Sequence, residues 1–228
     1  MKMILAGGGN AQQSKAVDEF FLQFLPRKRF LFIPHAISPK LWKHEKALEW
    51  IHKPKSFENI DIAMWKDIHR KTADDLEEFD ALYLMGGNTY ELLYQLRSSD
   101  FLTVIRDFLG KGKMVYGISA GAYVLGKDIQ DRIPPEDEDK NSIGLQDLSA
   151  LNLVKNHNVH CHYIPEHDNL LFEFEKRTQI PLVAIPETSG VFVDGDHCHS
   201  LGSAPVYIFQ KNGQKIEIAP NTEFSLKE

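Results

Sequence analysis

Up to Leu125 the chain alternates between short apolar runs and longer stretches with apolar residues at every third or fourth position. The runs are Met3–Ala6, Phe30–Ile33, Ile60–Met64, Ala81–Met85 and Met114–Tyr116, each bounded by glycine, proline or polar residues, as buried strands are. Between them, Val17, Phe20, Phe21 and Phe24 in the segment 14–24 are spaced for one helix face, and Pro26 ends that helix. Pro39 opens a second helix through Leu41, Trp42, Ala47, Leu48 and Ile51. The segment 74–78 reads as a short acidic helical turn. Further helices are expected from about Tyr90 to Arg97 and from Phe101 to Leu109, where Gly110 and Gly112 stop the last one. Strand and helix in strict alternation predict a three-layer α/β/α fold with a mostly parallel central sheet.

Beyond the helix that starts at Ala122 the texture changes. Residues 127–147 are polar and acidic, a long loop. Leu153-Val154 and Val159–Tyr163 read as extended, a helix is expected near 170–178, and Pro181–Ile185 reads as another strand. The end of the chain predicts two β-hairpins, one turning at Asp194-Gly195-Asp196 and one at Asn212-Gly213. No repeat or linker interrupts this pattern, so residues 1–228 are expected to form one domain.

Composition narrows the function. A chain of 228 residues with 43% hydrophobic and 25% charged residues has ordinary globular composition. The net charge of −6 gives no basic surface for a polyanion, so nucleic acid is not an expected partner. No run approaches the roughly 18 apolar residues of a membrane span. The N-terminus reads as a first strand and not as a signal peptide, and two cysteines make no disulfide framework, so a cytoplasmic location is expected.

The candidate chemistry gathers where strands end, since sites of open α/β sheets form there. Four ends are glycine-rich or polar: Gly7-Gly8-Gly9-Asn10, Pro34-His35, Gly86-Gly87-Asn88-Thr89 and Gly117-Ile118-Ser119-Ala120-Gly121. The last is a G-x-S-x-G nucleophile elbow, a serine at the apex between strand and helix, with glycines where strand and helix cross too closely for a Cβ. The amide of Ala120 is a candidate oxyanion donor, with that of Gly87 as the second. Asn88 and Thr89 are candidate substrate-binding residues, and Thr89 could cap the helix that follows. The triple glycine is not a dinucleotide fingerprint, because Gln12 stands where G-x-G-x-x-G needs a small residue, and no cofactor is expected.

A serine nucleophile needs a base and the base an orienting carboxylate. Six histidines follow the elbow: His157, His160, His162, His167, His197 and His199. His162 closes an extended stretch before Tyr163-Ile164-Pro165 leaves the sheet, which places it near a strand end. Glu187 follows Leu182–Pro186 in the same way. A different reading takes His160-Cys161-His162 and His197-Cys198-His199 as two chelating pairs, because residues i and i+2 of a strand share a face. A third reading is a binding module without catalysis.

Taken in order, Ile33-Pro34-His35-Ala36, Gly86-Gly87-Asn88-Thr89, Gly117–Ala122, His162-Tyr163 with Pro165-Glu166, and Ile185-Pro186-Glu187 resemble the serine peptidases of the dipeptidase E and cyanophycinase family. The resemblance covers most of the chain. It implies a class-I glutamine-amidotransferase-like fold, Ser119 as nucleophile, His162 as base and short peptides as substrates of a monomer or homodimer. It leaves two places for the acid: Glu187, or a residue of the acidic loop such as Asp131, Glu136, Asp137 or Asp139. Glu187 is preferred because a strand holds it. Members specific for N-terminal aspartate carry an arginine after the Pro-Glu that follows the base. Here the segment reads His167-Asp168-Asn169-Leu170-Leu171-Phe172, with no cation before Lys176-Arg177, so the resemblance does not establish an Asp-Xaa preference and leaves room for a less acidic substrate.

Overall fold

The computed structural model describes residues 1–37, 44–131 and 139–226. Five neighbouring strands run parallel in its larger sheet: β1 (Lys2–Ala6), β2 (Arg29–Ile33), β3 (Asp61–Met64), β4 (Ala81–Leu84) and β5 (Met114–Ile118). The helices between them are α1 (Lys15–Leu22), α2 (His44–Ile51), α3 (Thr89–Ser98) and α4 (Phe101–Gly110). The expected start of α2, with Pro39, Leu41 and Trp42, lies outside the described residues. A four-residue α5 (Ala120–Tyr123) follows β5 directly. Residues 74–78 form hydrogen-bonded turns and not a helix.

β1, β2, β4 and β5 bury both faces, whereas edge strand β3 is half-buried, and the alternation along them says what covers each face. Leu5, Leu31, Ile33, Leu82, Leu84 and Val115 face a core that includes Leu92, Leu96, Phe101, Ile105 and Phe108 of α3 and α4. Ile4, Phe30, Phe32, Tyr83 and Tyr116 face the other way, onto Val17 and Phe21 of α1 and Ala47 and Ile51 of α2. The sheet is thus sandwiched by helices, as the pattern predicts.

The C-terminal half divides its strands between two sheets. β6 (Asn158–Cys161), β7 (Leu182–Ile185), β10 (Val206–Phe209) and β11 (Lys215–Ile218) form a second, four-stranded sheet in the order β11-β10-β7-β6. Only the hairpin of β8 (Ser189–Asp194) and β9 (His197–Gly202) joins the large sheet, antiparallel beside β1, with the two-residue β12 (Glu223–Phe224) at its edge. The order of that sheet is β12-β9-β8-β1-β5-β4-β2-β3. The reason is again alternation. Val183 and Ile185 of β7 face the core shared with the large sheet, whereas Leu182 and Ala184 face Leu171 and Phe174 of α6 (Asp168–Thr178). Leu153-Val154, expected as extended, forms no strand and leads into a turn in which Lys155 and Asn156 take positive φ and the His157 amide donates back to the Val154 carbonyl.

Candidate active site

Ser119 stands between β5 and α5 with φ 51° and ψ −116°, a conformation that costs a side-chain-bearing residue about 1–3 kcal/mol. The surroundings impose it. A Cβ on Gly117 would lie 2.4 Å from the Gly121 carbonyl oxygen, and one on Gly121 would lie 2.2 Å from that of Leu84 on β4. The helix is pressed onto the strands with no room for a methyl, so the chain must reverse within one residue. The Ser119 amide donates to Ala6 O of β1 at 3.1 Å, and Ser119 O accepts from the amides of Ala122 and Tyr123. The backbone is locked while the residue itself stays partly exposed.

The candidate base, His162, arrives from the other sheet. His162 follows β6, and its φ of 54° breaks the strand's alternation at that residue. Its amide donates to Gly7 O at 2.9 Å, which ties the end of β6 to the end of β1. Its Nε2 lies 2.8 Å from Ser119 Oγ, and its Nδ1 lies 3.0 Å from Glu187 Oε1. Glu187 stands two residues beyond β7. The His162 hydrogen bond holds the Glu187 carboxyl below the usual carboxylate range, against a smaller opposing effect of burial, and a hydrogen bond from Gln13 adds to the lowering. An ionised Glu187 only accepts, so Nδ1 carries the imidazole proton and Nε2 is left to accept the serine hydroxyl. The side chains of His162 and Glu187 are 44% and 43% exposed, so the pair is open to a ligand and to water.

Three of the four glycine-rich or polar strand ends meet here, and Ala36, just after Pro34-His35, lies against Gly87 of the third. A Cβ on Gly86 would lie 3.0 Å from Ser119 Cβ, one on Gly87 would lie 2.6 Å from Ala36 O, and one on Gly8 would lie 2.2 Å from His162 Cε1. Gly86 therefore passes beside the serine, and Gly87, with φ 138°, lies against Ala36 in a conformation and a space that suit only glycine.

The neighbouring expectations change. The N-cap of α3 is Asn88, whose Oδ1 accepts from the Glu91 amide at 2.8 Å, and not Thr89. Thr89 is fully buried, and both its amide and its hydroxyl donate to Asp139, at 2.7 and 2.8 Å. Asn88 Nδ2 donates to Lys140 O. Asn88 and Thr89 thus hold residues 139–140 of the acidic loop, a role their place beside the glycines does not reveal.

The two described rival acids, Asp131 and Asp139, have other partners. Asp139 sits at the start of α3. Asp131 is buried, its Oδ1 accepts from Asn158 Nδ2 at 2.8 Å, and its Oδ2 lies 3.4 Å from Nδ1 of His160, not of His162. Burial pushes the Asp131 carboxyl up, against the pull of His160. Glu136 and Asp137 lie outside the described residues. His160 also contacts Tyr123 and, through Nε2, His167 Nδ1 at 3.0 Å. His160 and His162, expected to share a face as a chelating pair, therefore go to different partners, because the positive φ at His162 turns the second ring away. His197 is exposed, and His199 stacks on Phe20. Among the described residues no group of three or more His, Cys, Asp or Glu side chains is arranged to hold a metal.

Gln13 is the contributor that sequence reasoning missed. Its Nε2 donates to Glu187 Oε2 at 2.8 Å, across almost the whole length of the chain. Its only sequence signal is its place three residues after Asn10, at the end of the glycine loop.

The chain is similar to known proteins. Residues 3–201 match the model of peptidase family S51. The chain is 32% identical over 167 residues to a peptidase E of Shewanella baltica, covering 69% of this chain and 67% of that one. It is 26% identical over 211 residues to a peptidase E of Shewanella denitrificans, covering 87% and 85%. The crystal structure of a peptidase from an acI-B1 Actinobacterium superposes with a TM-score of 0.74 at 18% identity, covering 99% of this chain and 96% of the other. The architecture is the class-I glutamine-amidotransferase-like fold. With a family match that runs from the first strand to the β9 hairpin, the chain belongs to peptidase family S51 and is a serine peptidase.

Proposed function

We propose that this peptidase hydrolyses short peptides through a covalent acyl-enzyme, with Ser119 as nucleophile, His162 as general base and acid, and Glu187 as the carboxylate that orients the imidazole. The observation that carries the reading is the unbroken run Ser119 Oγ to His162 Nε2 at 2.8 Å and His162 Nδ1 to Glu187 Oε1 at 3.0 Å. In such a run the hydroxyl proton passes to Nε2 as Oγ attacks the scissile carbonyl. The resulting imidazolium is stabilised by Glu187, and the same proton then goes to the leaving amine. Water, activated by the same imidazole, releases the acyl group.

The developing oxyanion is assigned to the amides of Gly87 and Ala120. Gly86 beside Ser119 and the start of α5 support that placement. One such donor is worth about 10²–10³ in rate.

The substrate is a small peptide without a required N-terminal aspartate. The segment after the base supports this. Asp168 there is bound to Lys215 Nζ at 2.8 Å and to the Tyr163 hydroxyl at 2.7 Å. Lys176 and Arg177 lie in the last turn of α6, and Arg177 sits over Phe174. Among the described residues of that segment, no arginine is held near His162 to receive a substrate carboxylate.

The test is a dipeptide panel that includes Asp-Xaa members, run with the natural protein and with Ser119→Ala. Turnover of neutral dipeptides by the natural protein, absent in the variant, is expected. Activity confined to Asp-Xaa would refute the specificity, and undiminished hydrolysis by Ser119→Ala would refute the mechanism.

A further inference from the structure

We infer that Gln13 is a positioning residue of the active site, and that the loop Gly7-Gly8-Gly9-Asn10 exists to present it. The inference rests on the triad reading above. Each glycine of this loop touches one member of the imidazole–carboxylate pair by backbone or by close approach. Gly7 O accepts the His162 amide at 2.9 Å. Gly8, at φ 116°, lies flush against the imidazole, where a Cβ would come within 2.2 Å of Cε1. A Cβ on Gly9 would meet both Gln13 Cβ and Glu187 O at 3.0 Å. The three glycines let the backbone lie against the pair where any side chain would push it away.

The loop then fixes Gln13. Asn10 Oδ1 accepts from the amides of Gln12 and Gln13, at 2.9 and 3.2 Å, and closes the turn that starts α1. The Asn10 amide donates to Gln13 Oε1 at 2.9 Å. A backbone N–H can only donate, so it must face the oxygen of the Gln13 amide, and the NH₂ group is left to face Glu187 Oε2 at 2.8 Å. With Oε2 taken, Oε1 is turned to His162 Nδ1. The proton donor also favours the ionised carboxylate. A chain of four groups results, Gln13–Glu187–His162–Ser119, with its outer end anchored on backbone.

The variants Gln13→Met and Gln13→Glu test this, with two readouts: kcat and KM on a cleaved dipeptide, and the rate at which a fluorophosphonate labels Ser119, followed by mass. Hydrogen bonds to charged groups of this kind lead us to expect that Gln13→Met lowers kcat and the labelling rate by about tenfold, with KM unchanged. Its deficit widens as the pH falls, because Glu187 protonates more readily without its donor. Gln13→Glu behaves oppositely. The carboxyl introduced there donates only while protonated, so its deficit narrows as the pH falls.

Equal labelling rates in the natural protein and Gln13→Met would overturn the inference and leave the triad standing. Absence of labelling at Ser119 in the natural protein would overturn the triad and this inference together. Should Gln13→Met fail to fold, the direction of the pH trend in Gln13→Glu decides alone, and a deficit that does not narrow at low pH overturns the proposal.

Discussion

Asp18 offers a test of the packing that is independent of catalysis. It lies on α1, 1% exposed, against the large sheet. Tyr116 donates to its Oδ1 at 2.7 Å and Ser14 Oγ to its Oδ2 at 2.8 Å. These bonds do not repay its burial, and the carboxyl is pushed from 3.8 up to about 6. The unfolded chain therefore binds fewer protons than the folded one between these two values, and stability falls as the pH rises through that window. The rise of about two units corresponds to about 3 kcal/mol, absent below pH 3.8 and fully felt above pH 6. Asp18→Asn removes the charge and keeps the shape. Its carbonyl oxygen accepts from Tyr116, and its NH₂ donates to Ser14 Oγ, whose own hydrogen is free to turn. The variant is expected to match the natural protein at pH 4 and to exceed it at pH 7.5 by up to about 3 kcal/mol, or several degrees in Tm. Urea denaturation of both proteins at the two pH values measures this, because the other titrating groups cancel in the difference. An advantage equal at both pH values, or a loss at pH 7.5, would refute the argument that a buried charge is the cost.

The remaining predictions concern the site. Glu187→Gln is expected to lower kcat by on the order of 10³–10⁴, as when a triad carboxylate can no longer fix the imidazole tautomer. Asp131→Asn, which touches His160 and not His162, is expected to leave kcat unchanged. The reverse ranking of these two variants would move the acid into the loop. Gly121→Ala places a methyl 2.2 Å from the Leu84 carbonyl and is expected to destabilise the protein by about 3 kcal/mol or more, read as a lowered urea midpoint. An unchanged midpoint would mean that the elbow relaxes at no cost.

The large sheet was legible because its strands are buried on both faces and its helices carry one apolar stripe. Such patterns are local and survive in the sequence. The elbow was legible for a related reason, since Gly117 and Gly121 record a contact that excludes a Cβ. The partner sheet of each C-terminal strand was not legible. Leu182–Ile185 is an apolar run whichever sheet it joins, and only the core on each side decides. Thr89 misled because its hydroxyl and amide suit a cap, a ligand or a loop carboxylate equally, and the carboxylate it meets is fifty residues away. Gln13 was silent because a glutamine near a glycine loop has no periodicity to mark it.

The two sheets divide the chemistry. Ser119 belongs to the large sheet by its β5 strand and by its amide bond to Ala6. His162 and Glu187 belong to the small one, each just beyond the end of its strand. Their meeting therefore depends on how the sheets are joined, and the join runs along β1. Ala6 O holds Ser119, Gly7 O holds His162, and the Gly7 amide donates to Ser189 O at 3.0 Å, at the start of β8 and two residues after Glu187. Three consecutive backbone groups thus set the relative positions of Ser119, His162 and Glu187, and the loop that follows supplies the side-chain amide that donates to Glu187. A strand that reaches all three need carry no reactive side chain itself, which is why the geometry of the proposed triad begins at some of the least reactive residues in the sequence.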